Sequence, residues 1–229
     1  MSSAWRCLPI RLPLLPGEAL DSWLGAIVAG LDCPFRDVLR TLGLPNRDSA
    51  VTAFVLPRWT NLARQDELAA IAETTDVAED MLVAMALQSL DGRAVAIPPE
   101  QRRVHRRVLW GRSGSWFCLA CLAETGGRWQ LAWRLGWSFV CTRHHLLPAV
   151  RCPVCRRIPR LRSHSRSQTS RPGRCSSPAA TGGPRPPRCH RSLAGTPVTG
   201  ITAGGPLEEA QQLISTALAA PGRMVGWLL

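Results

Sequence analysis

Apolar positions in "PLLPGEALDSWLGAIVAGL" recur at helical spacing once the Pro-Gly turn is passed. Leu20, Trp23, Leu24, Ile27, Val28 and Leu31 share one face, which predicts an amphipathic helix over roughly 18–30. "LDCPFRDVLRTLGLP" predicts a second helix directly after it, with Asp32 as N-cap, Pro34 in the first turn, and Gly43 with Pro45 ending it. A looser stretch, 46–61, contains "AFVLPRWT" and reads as a segment lying across the helices. "ARQDELAAIAE", the turn "TTD" and "VAEDMLVAMALQSL" then predict a second helix pair. Asp76 and Glu79 fit a capping box at the start of its later helix. Two helices joined by so short a turn outline a helix-turn-helix, and an αα-hairpin that only packs has the same outline. The later helix, 77–87, carries Glu79 and Asp80 and no Arg. Carboxylates at a helix N-terminus repel phosphate, so a protein contact suits this pair better than DNA.

Beyond residue 100 the pattern changes. "DGRAVAIPPEQRRVHRRVLWGRSG" links the halves, and Arg102, Arg103, Arg106 and Arg107 fall on consecutive turns if that piece is helical. Trp129, Trp133 and Trp137 recur every four residues in "RWQLAWRLGWSFV", so on a helix they share a face. Burial against a neighbouring core is the usual use of such a stripe, and stacking on bases the alternative. Arg128 and Arg134 lie off it, free to face an anion. After Cys155, "RRIPRLRSHSRSQTSRPGRCSSPAATGGPRPPRCHR" has no hydrophobic period and no acid, which by composition alone describes a disordered tail. Residues 206–220 predict a short terminal helix.

Charge sharpens this division. Arg supplies all 28 basic residues, which by itself reflects coding bias. Bias acts evenly along a chain, whereas residues 1–100 hold 8 Arg against 13 carboxylates and residues 101–229 hold 20 against 3. A basic half of this kind meets phosphate, an acidic protein face or solvent. No secretory or membrane segment is expected: Pro9, Arg11, Pro13 and Pro16 interrupt the opening, and "SWLGAIVAGL" is shorter than the roughly 18 apolar residues of a span. The expected compartment is the cytoplasm, where structural disulfides are rare, so nine cysteines point toward metal.

Their spacing agrees. Cys118-x2-Cys121 is followed after 19 residues by Cys141-x2-His144. Ligands two residues apart occupy adjacent tetrahedral corners, and two such knuckles close a four-coordinate site of the structural zinc type. His145 competes with His144, which is preferred because it keeps the spacing of two. Cys152-x2-Cys155 is followed after 19 residues by Cys175 and after 13 more by Cys189. Together they offer a four-thiolate site, with His164 or His190 as a substitute ligand. A redox CxxC needs a strand in a βαβ unit, which this pattern lacks. Cys7 and Cys33 stand apart as core or surface thiols. Two Zn2+ per chain would explain how a segment rich in Arg, Gly, Pro and Ser folds at all, each site contributing on the order of 10 kcal/mol. With seven thiolates and two zinc ions the formal charge moves from +12 to about +9.

Enzymatic chemistry finds little purchase. Each cysteine set offers four good ligands and no open position, no paired carboxylates lie near them, and no Gly-rich phosphate loop or nucleophile elbow occurs. A zinc-finger/helix-turn-helix transcriptional regulator is the alternative reading, and it needs basic residues where the later helix has acids.

"LPIRLPLLPGEALDSWLGAI" resembles the "P-x-PGE-S/A-L-x-SWL" opening of TniQ proteins. "FCLACLAETGGRWQLAWRLGWSFVCTRHHLLPAVRCPVC" is similar to that family's zinc region: CxxC, a Trp-Arg helix, CxxH, then CPxC. The resemblance spans about 6–190. It implies a mainly α chain: a helical N-terminal domain (1–92) with the helix-turn-helix-like pair, a basic linker (93–115), two zinc fingers (116–150 and 151–195) and a tail with a short helix (196–229). It further implies a non-catalytic adaptor in transposition target-site selection, coupling DNA or a DNA-bound recognition complex to an AAA+ transposition ATPase. A homodimer is left open. Cys118, Cys121, Cys141 and His144 match the first finger, Cys152 and Cys155 the start of the second, and Cys175 and Cys189 its end. His145 departs from the pattern, since the family often has Gly after the ligand His. The candidate nucleic-acid contacts are Arg102, Arg103, Arg106, Arg107, Arg128, Arg134, Arg156 and Arg157.

Overall fold

The turn at Pro16 and Gly17, with Gly17 at φ 70°, delivers the chain into helix α1 (Leu20–Gly30). A computed structural model describes residues 7–44, 57–105, 115–160, 171–180 and 187–219. Leu20, Trp23, Leu24, Ile27 and Val28 are all buried, so α1 lies at the centre of the helical half. Helix α2 (Phe35–Thr41) follows, its N-cap being Pro34. Asp32 is not the cap. It takes a left-handed φ of 45°, because the chain must reverse within a few residues and Asp tolerates that conformation. Gly43, at φ 62°, ends α2 as expected. Pro45 and the first half of "AFVLPRWT" lie outside the described residues. The end of that stretch is a 3-10 turn, Arg58–Thr60, which buries Trp59 and Thr60.

Helix α3 (Gln65–Thr75) begins where the Arg64 N–H donates to the Glu67 carboxylate at 2.8 Å. Helix α4 (Glu79–Ala84) follows, and the expected capping box at Asp76 and Glu79 is not formed. A turn this short needs a residue at positive φ to close α3, and Asp76 supplies it at 59°. An N-cap needs extended dihedrals, which Ala78 has instead. Asp76 pairs with Arg11, and Glu79 accepts from Gln65. The helix expected over 77–87 is only six residues long, and a separate 3-10 turn, Leu87–Leu90, continues from it. Leu68, Ile71, Leu82 and Met85 from this pair pack with the α1 and α2 side chains in one hydrophobic cluster.

The second half builds its own cluster from Phe117, Leu122, Trp129, Trp133, Ala149 and Leu193, packed among cysteines. A third joins the halves through Ala19, Leu87, Val95, Ile97, Leu131 and Leu135. Residues 101–105 form no helix, and Arg106 and Arg107 lie outside the described residues.

The Trp-Arg segment is not a helix either. Only Leu131–Arg134 makes a 3-10 turn. The backbone around it is taken by the N-terminal segment: Ala19 N–H donates to the Trp129 carbonyl at 2.9 Å, and Leu131 N–H donates to the Gly17 carbonyl at 2.8 Å. That pairing displaces the i to i−4 ladder a helix would need. Trp129 and Trp133 are nevertheless buried, with ring centroids 5.5 Å apart, and Trp129 lies equally close to Phe117. Helix α5 (Leu119–Glu124) stands in the first cysteine module, and α6 (Pro206–Ala219) lies against it. Among the described residues there are isolated β-bridges and no named strand. No helix among them is long and apolar enough to cross a membrane.

Candidate metal centres

Cys118 caps α5 and Cys121 sits within it, while Cys141 and His144 come from a tight turn closed by Cys141 N–H donating to the Leu146 carbonyl at 2.9 Å. The four ligand atoms gather within 4.8 Å of one another. Cys121 Sγ is 3.7 Å from Cys141 Sγ, and His144 Nδ1 is 3.2 to 3.6 Å from the three sulfurs. A tetrahedral zinc with bonds of ordinary length separates sulfur pairs by about 3.8 Å and sulfur from nitrogen by about 3.6 Å. The donor set therefore fits the ion with shifts of a few tenths of an ångström. Within the cluster, hydrogen bonds from Cys118 and Cys121 hold Cys141 far below the usual thiol range. The Cys118 and Cys141 sulfurs hold Cys121 far above it. Three thiolates at this distance repel one another, and a dication removes the conflict.

His144 presents Nδ1 inward and Nε2 outward, where Nε2 lies 2.8 Å from Glu124 Oε1. Burial works against a charged His144, but its contacts with Glu124 and Cys141 outweigh this and raise its pKa. That carboxylate fixes the ring and its tautomer, the usual support of a metal-ligating histidine. Arg143 steadies Glu124 from the other side at 2.8 Å. Glu124→Ala is expected to weaken the first site about 10- to 100-fold. Competition against a chromophoric chelator reads this out, with the second site unchanged. His145 takes a φ of 51° and turns away, its Nδ1 lying 3.0 Å from Glu208 Oε2 on α6.

The second cluster gathers Cys152, Cys155, Cys175 and Cys189, again within 4.8 Å. Cys152 Sγ is 3.8 Å from Cys189 Sγ, and Cys155 Sγ is 3.6 Å from Cys175 Sγ. Burial raises the Cys152 thiol, but backbone N–H groups of Cys155 and Val154 outweigh it and lower the pKa, as a thiolate ligand requires. Burial pushes Cys175 up. Its two arms come from sequence without hydrophobic period, and main-chain pairing holds them. Cys175 N–H donates to the Arg191 carbonyl at 2.9 Å, and Cys189 N–H to the Ser177 carbonyl at 2.8 Å. His190 lies beside this cluster without joining it, and His164 lies outside the described residues. Each set offers four protein donors to an ion, the number a closed structural site requires.

The TniQ family model matches residues 9–147, well over half of the chain. The chain belongs to the TniQ family. Membership connects it with transposition, in a family of non-catalytic adaptors. No curated protein matches the chain. The matched region of this TniQ chain contains the first cluster and ends before Cys152, so the second cluster rests on its geometry.

The TniQ-like opening docks directly on the cysteine-rich half. Glu18 is 1% exposed and accepts from Arg128 Nε at 2.7 Å, from Arg128 Nη2, and from Ser22 Oγ at 3.0 Å. Arg128 also donates to the Pro13 carbonyl at 2.7 Å. Asp21 pairs with Arg160, whose guanidinium lies 5.0 Å from the Trp129 ring centroid. Arg134 is buried and donates to the Thr60 carbonyl at 3.1 Å and to Asn61 Oδ1 at 2.6 Å. Its burial lowers its pKa to about 10, against the charge of Asp21.

Arg128 and Arg134 are therefore not free to face an anion. Buried Glu18, just before α1, requires a cation opposite, and Arg128 supplies it, while Arg134 is taken up by the Thr60 carbonyl and Asn61. Arg102 is corrected likewise: it is buried, pairs with Glu67 and donates to the Leu62 carbonyl at 2.8 Å. Arg103 is half-buried. Arg156 and Arg157 are exposed at the second knuckle, beside exposed Arg151. Arg171, Arg174 and Arg191, near the other two cysteines of the second cluster, are exposed too, and the knuckle spacing does not mark them. The signal for them was there: no carboxylate occurs between Glu124 and Glu208.

Proposed function

We propose that this TniQ chain is a non-catalytic, zinc-bearing adaptor in target-site selection, bridging target DNA or its recognition complex to an AAA+ transposition ATPase. The observation that carries the reading is the division of exposed charge, acids on the helical half and arginines on the second cysteine module, with the two halves joined by buried ion pairs. On the helical side Asp66, Glu73, Asp76 and Asp80 are exposed. On the other side the second cysteine module exposes Arg151, Arg156, Arg157, Arg171, Arg174 and Arg191. The basic surface suits phosphate and the acidic one a protein partner. The transcription-regulator alternative draws on α3 and α4, and α4 is too short and opens with Glu79 and Asp80.

Filter binding to duplex DNA across a salt series tests the first contact. The expected result is a linear fall of log K with log salt, and the Arg156→Ala/Arg157→Ala double variant lowers the slope by about 2, one per phosphate contact. Absence of binding at low salt removes the DNA contact. Capture of the purified ATPase by the chain tests the other contact separately.

A further inference from the structure

The route from the second cysteine cluster to the N-terminal helices is short and fixed at both edges. After Cys155 the chain runs through Arg156 and Arg157 to Ile158, buried Pro159 and Arg160. Cys152 N–H donates to the Arg157 carbonyl at 3.0 Å, and Ser177 Oγ donates to the Ile158 carbonyl at 3.2 Å. One bond starts at a ligand and the other two residues beyond one, so both arms of the four-cysteine set hold the segment that carries Arg160. The Arg160 side chain is 10% exposed and its partner Asp21, in α1, is 3% exposed. The same guanidinium covers Trp129, whose N–H donates to Ser22 Oγ at 2.8 Å and whose carbonyl accepts from Ala19.

We infer that occupancy of the Cys152, Cys155, Cys175 and Cys189 site is transmitted to the N-terminal helical half through Arg160. This rests on the metal reading of that cluster. When the ligands hold an ion, the guanidinium stays against Asp21 and over Trp129, and the seam between the halves is closed. When they do not, the arm relaxes, Asp21 loses its direct cation in a site with little water, and the seam opens while the first cluster keeps its ion. Coupling of this kind runs through an identified ion pair and stacking contact, each of which can be removed on its own.

The test combines metal content with amide hydrogen exchange on the full chain, comparing wild type, Cys175→Ser, Arg160→Gln and the double variant. The seam is read at the amides of Ala19, Trp129 and Leu131. Cys175→Ser should lose one metal equivalent and exchange roughly ten- to a hundredfold faster at the seam, as expected for loss of a charged hydrogen bond. Arg160→Gln should keep both equivalents and show a comparable rise, and the double variant should add little to either. A Cys175→Ser chain that loses one equivalent while its seam stays protected overturns the inference, as does full additivity in the double variant. If Cys175→Ser does not fold, Cys189→Ser at the half-buried ligand gives the same comparison. A wild-type chain with fewer than two equivalents overturns both the inference and the metal reading, and the metal count alone identifies that case.

Discussion

Truncation of Arg128 to alanine is expected to destabilise the chain by about 3–5 kcal/mol, because it strands a buried charge. The Glu18 side chain has no solvent exposure, and Arg128 supplies both of its charged hydrogen bonds. Without that guanidinium the carboxylate keeps Ser22 Oγ at 3.0 Å and a longer bond from Leu15 N–H at 3.4 Å. Neither compensates a full charge. The exposed pair Arg11–Asp76, with side chains 65% and 70% accessible, provides the contrast. Arg11→Ala should cost no more than about 1 kcal/mol. Urea unfolding of the two variants separates these outcomes. An Arg128→Ala midpoint shift no larger than that of Arg11→Ala would show that water reaches Glu18 and that the seam is loosely made. Replacing Glu18 and Arg128 together by leucine should recover much of the loss, since no unpaired charge then remains.

Removal of metal is expected to have the larger effect, and an unequal one. The hydrophobic cluster of the second half is small and built around the cysteines themselves, with Cys118, Cys152, Cys155 and Cys175 all buried in it. Each structural ion contributes on the order of 10 kcal/mol to such a module, far more than its few apolar side chains supply after chain entropy is counted. Exhaustive chelation should therefore leave the amides of 115–160, 171–180 and 187–200 exchanging freely. The N-terminal cluster contains none of the eight ligands. Circular dichroism should accordingly retain the signal of α1 to α4, and added zinc should restore protection in the second half. Uniform loss of helix on chelation would mean that the N-terminal core does not stand by itself.

Local patterns in the sequence reported local structure well. The α1 periodicity, the Gly43 stop and the knuckle spacings each depend on residues only a few positions apart, and each has its counterpart in the structure. The misassigned elements depend on partners far along the chain. Asp76 looks like a cap in isolation, but closing α3 required its left-handed conformation. The Trp129, Trp133 and Trp137 spacing suggests a helix until Gly17 and Ala19 claim the backbone beside it. Arg102, Arg128 and Arg134 looked like anion contacts because arginine is mostly found at the surface, and their carboxylate and carbonyl partners lie tens of residues away. The inward positions of Glu18 just before α1, and of Asp21 and Ser22 within it, beside side chains built to be buried, were the available signal. Polar groups at such positions require partners.

Metal analysis of the purified chain and of its Cys118→Ser and Cys175→Ser variants addresses the pair of closed tetrahedral sites most directly. Two zinc equivalents in the wild type, falling by one in each variant, are predicted. Zinc-free wild-type protein that stays folded, or a Cys175→Ser chain that still holds both equivalents, would contradict the assignment.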